Sequence, residues 1–181
     1  MNGIDVSHHQ GTIKWPMTGV DFAIIRSSHG KHETDRCFEA NYAGARKAGI
    51  PIGAYHYFYY GNKKAFDEEV QNFLNHLKGK HFELPVFLDF EEEGKEYDPP
   101  LGAIDRVTLT NWAIEAFEKI RAAGYRPGKA YIDNFIGQTA AATPCRAVIT
   151  EARDLYIQNP AGGPSAAGES YNQYLEYLAE G

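Results

Sequence analysis

Short strand-like segments alternate with amphipathic helical segments along the first two thirds of this chain, and that alternation admits few folds. Gly3-Ile4-Asp5-Val6-Ser7 and Asp21-Phe22-Ala23-Ile24-Ile25-Arg26-Ser27-Ser28 read as strands, separated by the turn-like His8-His9-Gln10-Gly11. Thr34 or Asp35 is placed to cap a helix running to Ala48 and stopped by Gly49. Pro51 opens a strand over Ile52 to Phe58, and Lys63 to Leu77 aligns Phe66, Val70, Phe73, Leu74 and Leu77 on one stripe, with acids and amides opposite. After the strand at Leu84 to Phe90, Leu109, Trp112, Ala113, Ala116, Phe117 and Ile120 mark another helix, closed near Gly124. Lys129 to Asp133 and Asp154 to Gln158 are the later strands. Strands alternating with helices of this length imply a parallel sheet, either a barrel or an open doubly wound layer. No Gly-rich phosphate loop follows any strand, which favours the barrel.

Chemistry concentrates where Leu84-Pro85-Val86-Phe87-Leu88 runs into Asp89-Phe90-Glu91-Glu92-Glu93. Strand side chains alternate, so Asp89 and Glu91 share one face about 7 Å apart, while Phe90 points the other way. The carboxyl ends of parallel strands are where α/β folds bind ligands, and Asp5 ends the first strand in the same way. Glu92 and Glu93 read as solvated charge. Paired carboxylates suit glycoside cleavage, which requires a protonated acid at the leaving oxygen and a negative group near the oxocarbenium-like centre. Crowding and desolvation raise the pKa of one acid while another stays ionised. Tyr55, Tyr57 and Tyr131 are candidate groove residues, because aromatic faces stack on sugars.

Composition excludes other classes. At 181 residues with 43% hydrophobic content, the chain is expected to be a single domain with a substantial core. A net charge of −6 with no basic run argues against nucleic acid, and no apolar run is long enough for membrane insertion. Cys37 and Cys145 read as free thiols. The seven histidines form no paired zinc-protease motif, and no Gly-x-Ser-x-Gly elbow is present, so neither a metal nor another cofactor is expected. A metal-dependent sugar deacetylase is the enzymatic alternative, separable by its sensitivity to chelator. No leader of signal-peptide type precedes the first strand, so release from a host cytoplasm by an assisted route is expected.

Gly3-Ile4-Asp5-Val6-Ser7, Asp21 to Arg26, Gly53-Ala54-Tyr55-His56-Tyr57-Phe58, Leu88-Asp89-Phe90-Glu91 and Gly124-Tyr125-Arg126-Pro127 resemble, in order and spacing, the family 25 glycoside hydrolases, the muramidases common among phage endolysins. The resemblance implies an irregular (β/α) TIM-like barrel and cleavage of the β-1,4 bond between N-acetylmuramic acid and N-acetylglucosamine in cell-wall peptidoglycan. It implies Glu91 as general acid, Asp89 as its Asp-x-Glu partner and Asp5 as the acid of the first strand. Asp89 as nucleophile, and Asp89 orienting the substrate's own acetamido group, both remain open. Beyond Pro127 the pattern thins: Asp154 to Gln158 and Asn172-Gln173-Tyr174 stand for the last strands, residues 159–170 read as linker, and Tyr171, Tyr174, Leu175 and Leu178 fall at helical spacing. Glu169 is the weakest match, to a further C-terminal acid. A barrel that binds wall glycan without cutting it is the non-enzymatic alternative.

Overall fold

The computed structural model describes residues 2–90 and 99–132. Its elements are β1 (Gly3–Val6), β2 (Phe22–His29), β3 (Glu33–Thr34), α1 (Phe38–Ala48), β4 (Ile52–Phe58), α2 (Lys63–Leu77), β5 (Val86–Phe90), a 3-10 turn at Leu101–Ala103, α3 (Arg106–Ala122) and β6 (Pro127–Ile132). The sheet runs in the order β1-β2-β4-β5-β6, with β3 off this path and antiparallel to β2. All the other pairings are parallel. Apart from β3, each strand lies beside the next in sequence, with no switch point where the order reverses. That is the winding of a (β/α) barrel and not of a doubly wound sheet. The expected strand at 154–158, the linker and tail after it, and Cys145 lie outside the described residues. Cys37 is a free thiol.

One face of the sheet carries the helices. Phe58, Val86, Leu88 and Phe90 pack with Phe66, Phe73 and Leu77 of α2 and with Leu109, Ala113, Phe117 and Ile120 of α3. Val6, Ala23, Ile25 and Ile52 pack with Phe38 and Ala45 of α1. Each large side chain buried this way contributes about 1.5–3 kcal/mol. Local signals set the helix ends: Asn62 accepts the Ala65 N–H at 2.9 Å, Asp105 accepts the Thr108 N–H at 3.0 Å, and Gly49 ends α1 at φ 70°.

The opposite face is built from unequal pairs. Gly3 lies opposite Phe22 and Gly53 opposite Ile24 in the strand register. A Cβ on Gly3 would meet the Phe22 ring at 2.0 Å, one on Gly53 would meet Ile24 Cδ1 at 2.6 Å, and one on Gly128 would meet the Phe87 ring at 2.4 Å. A methyl group at any of these positions would force a neighbour to shift: the ring of Phe22 or Phe87, or at Gly53 both Ile24 and the backbone oxygen of Pro85. Together they fill the inner face beneath the carboxylates.

Two expectations are corrected. Asp35 does not cap α1 directly: Cys37 is the N-cap, with no side-chain hydrogen bond of its own. The acids and amides of α2 are not all on its outer face either, since Glu69 (0% exposed) and Asn72 (6%) are buried. Both satisfy backbone groups of neighbouring loops, which need partners once the helix covers them.

Candidate active site

Strand alternation puts Asp5, Arg26, Tyr55 and Asp89 on the inner face, one step above the glycine-filled layer. Asp5 is level with Ile24 and Gly53 in the ladder, yet its carboxylate accepts the hydroxyl of Tyr55, two residues further along β4. Strands tilted to the axis of a closing sheet produce a stagger of this kind. Asp89 is level with Tyr57 and Tyr131. Burial raises the Tyr55 phenol well above its ordinary value, and the charges of Asp5 and Asp89 raise it further. Tyr55 therefore stays a proton donor, hydrogen-bonded to Asp5 and within the field of the Asp89 charge.

Arg26, 6% exposed, holds the other side. Its Nε donates to Asp35 Oδ2 at 2.9 Å, and its Nη2 meets His8 Nδ1. Asp35, 1% exposed, also accepts the backbone N–H groups of His8 and Cys37, each at 2.9 Å. Burial alone would raise the Asp35 carboxyl, but those amides and the guanidinium outweigh it and hold the group below its ordinary value. The pKa of Arg26 is raised although burial opposes it, and Asp35, through its hydrogen bond and charge, is its partner at neutral pH.

The expected residues are thus brought together in part. Asp5, Tyr55 and Asp89 converge; Tyr57 is buried at 6% exposure, with its ring edge against Tyr59; Tyr131 stands across from Asp89 in β6. Glu91 lies outside the described residues, as does Glu169. Sequence reasoning passed over Arg26, Asp35 and Glu69. An arginine in the apolar run of β2, on the same side as the neighbouring acids, was the available signal for the first. Among the described residues, no group of three or more His, Cys, Asp or Glu is arranged to hold a metal, and no helix is long and apolar enough to cross a membrane.

Glu69 is a second buried acid, on α2. Its Oε1 accepts the Tyr59 N–H at 2.9 Å and its Oε2 the Tyr60 N–H at 3.3 Å. Burial pushes its carboxyl up to about 8, although both amides favour the ionised form. A folded pKa above the unfolded value of 4.5 means that this acid's contribution is fully present below about pH 4.5 and is lost as pH rises through 8. The slope is up to about 1.4 kcal/mol per pH unit. Glu69→Gln, with no proton to lose there, should show a flatter dependence of urea midpoint on pH between about pH 5 and 8. A slope equal to that of the parent would mean Glu69 does not titrate in that window.

The chain is similar to several known proteins. Lysozyme M1 of Streptomyces globisporus is 47% identical over 60 residues, covering 32% of this chain and 20% of that protein. The bacterial lysozyme from Streptomyces coelicolor superposes at a TM-score of 0.53 with 27% identity, over 67% of this chain and 57% of its own. The catalytic domain of endolysin ply40 from bacteriophage P40 of Listeria monocytogenes does so at 0.58 with 25% identity, over 74% and 64%. This chain spans between 20% and 37% of the length of the curated relatives it matches. Residues 4–144 match the family described as Glycosyl hydrolases family 25, which takes in Asp5, Tyr55, Asp89 and Glu91 together. That match covers most of the chain, including the whole of the described parallel sheet except Gly3, and the chain therefore belongs to glycosyl hydrolases family 25.

Proposed function

We propose that this chain is a muramidase, hydrolysing the β-1,4 bond between N-acetylmuramic acid and N-acetylglucosamine in bacterial cell-wall peptidoglycan. The observation that carries the reading is that two carboxylates from separate strands act on Tyr55, Asp5 through a hydrogen bond and Asp89 through its charge. Likeness to Lysozyme M1 and to the Streptomyces coelicolor lysozyme supports it. Glu91, two residues after Asp89 in sequence, donates its proton to the leaving glycosidic oxygen as the bond to the muramic acid C1 breaks. Asp89 supports the positive charge at C1, either by direct attack or by orienting the substrate's acetamido oxygen. Water then adds to C1, and its proton returns to Glu91. Asp5, fixed by Tyr55, adds negative potential on the opposite wall, and Tyr55, Tyr57 and Tyr131 line the groove. All 181 residues act as one catalytic domain, with no cofactor.

The product decides the matter. Digestion of purified peptidoglycan should create reducing ends on N-acetylmuramic acid, so that borohydride reduction and sugar analysis give muramicitol in excess. Chelator should leave the yield unchanged, since carboxylates perform the proposed steps. Predominant glucosaminitol would move the cut to the other linkage. If no reducing ends form while the protein still pellets with walls, the chain binds glycan without cutting it.

A further inference from the structure

Behind the mouth, on the helix-facing side of β4, a buried polar chain is left unused by the proposed chemistry. In the β2–β4 ladder Arg26 pairs with Tyr55 and Ser28 with His56, so Ser27 is an extra residue that bulges β2. Ser27, Ser28 and His56 are all 0% exposed. His56 Nδ1 lies 2.8 Å from Ser28 Oγ, and Ser28 Oγ lies 3.2 Å from Ser27 Oγ. Ser27 Oγ in turn donates to the backbone carbonyl of Tyr55 at 3.1 Å. The His56 ring packs on Phe58 and on Phe73 of α2, and its Nε2 has no hydrogen-bond partner among the described residues.

Counting hydrogens gives this chain a direction. A carbonyl only accepts, so the single hydroxyl hydrogen of Ser27 goes to Tyr55. The Ser28 hydrogen then fills the contact with Ser27, which leaves the contact with His56 to be filled from Nδ1. Burial holds the His56 pKa well below its ordinary value, so the ring is neutral and carries one N–H. With that hydrogen on Nδ1, the unpartnered Nε2 is a bare lone pair and not a stranded donor, the rarer and costlier defect in a protein interior.

We propose that His56, Ser28 and Ser27, donating in that order, position Tyr55 for the reaction by pinning the carbonyl of the residue whose hydroxyl holds Asp5. The inference rests on the muramidase reading and adds three positioning residues to it, none of them open to a ligand. A bulge disrupts the ladder locally and leaves its extra residue unpaired. Here the disruption falls directly after the Arg26–Tyr55 pair, and the Ser27 hydroxyl ties the two strands together at that point. Tyr55 is bonded to Asp5 and stands in the field of Asp89, so a shift of its backbone displaces the group between the two acids. Misplacement by about 1 Å can cost on the order of a hundredfold in rate even when its origin is remote from the chemistry.

The test uses the full chain. Long-range proton–nitrogen spectra at pH 7 should show the His56 hydrogen on Nδ1; a hydrogen on Nε2 would overturn the direction of the chain and the proposal with it. Ser27→Ala should lower kcat for reducing-end release from soluble peptidoglycan fragments by at least about tenfold, with KM within about twofold of the parent. It should also move the Tyr55 hydroxyl proton upfield, as the bond to Asp5 loosens. Ser28→Ala leaves Ser27 on the carbonyl, so it should do both to a smaller extent, and it carries the test if Ser27→Ala does not fold. Parental kcat in the folded variants, KM rising at constant kcat, or a fall in kcat with an unmoved Tyr55 hydroxyl proton would each overturn the positioning role. If the parent releases no reducing ends, the muramidase reading fails separately, and the His56 and Tyr55 proton signals still decide whether the chain holds Tyr55.

Discussion

Glu91→Gln should fold like the parent and clear purified cell walls at least about a hundredfold more slowly, the loss expected when a general acid is removed. The amide matches the carboxyl in shape but has no acidic proton to give the leaving oxygen. Asp89→Asn should be comparably severe, because Asp89 ends β5 on the face where Asp5 and Tyr55 meet. Glu92→Gln and Glu93→Gln should stay within a few-fold of the parent. Near-parental clearing by a folded Glu91→Gln protein would assign the acid elsewhere. Similar losses at all four positions would point to folding of the segment after β5 and not to proton transfer.

Asp35→Ala should cost roughly 3–5 kcal/mol of stability, the range for removing one member of a buried ion pair and stranding the other. Arg26 would lose its carboxylate partner, and the amides of His8 and Cys37 would lose their acceptor. Urea unfolding of parent and variant at pH 7 measures the difference directly. The pH dependence supplies a second check. The folded pKa of Asp35 lies below its ordinary 3.8, so its contribution is present above about pH 4 and is lost as pH falls through the folded value. Parent and variant should therefore converge in acid. A difference under about 1 kcal/mol at pH 7 would mean that relaxation or water replaces the carboxylate.

Patterns local in sequence were legible. The stripe from Lys63 to Leu77 and the strand Ile52 to Phe58 are observed with those bounds, because their periodicity, and for the strand the Pro51 that opens it, are contained within a few residues. Parity placed Asp5 and Asp89 on the ligand-binding side, which two-residue alternation and the strand-end rule suffice to do. What depends on register was not legible. Spacing could not show that Asp35 reaches back 27 residues to His8, since that contact follows from the turn made by β3. Glu69 was taken as solvated because an acid beside Val70 ordinarily faces water. Its burial answers the needs of the Tyr59 and Tyr60 amides, which belong to another element.

The glycines beneath the mouth act as a registration key for the strands. Sliding β1 by one residue against β2 would turn Asp5 out of the mouth. Sliding it by two would keep Asp5 facing inward, but would move its carboxylate about 7 Å and remove Gly3 from beneath the Phe22 ring. Only the alignment that seats Phe22 on Gly3 and Ile24 on Gly53 also delivers Asp5 to Tyr55. The height of Asp5 in the mouth is thus dictated by steric fit one layer below it. Deepening the mouth by trimming Phe22 or Phe87 would loosen the fit that aligns the acids, so cleft shape and acid alignment cannot be redesigned independently in this barrel.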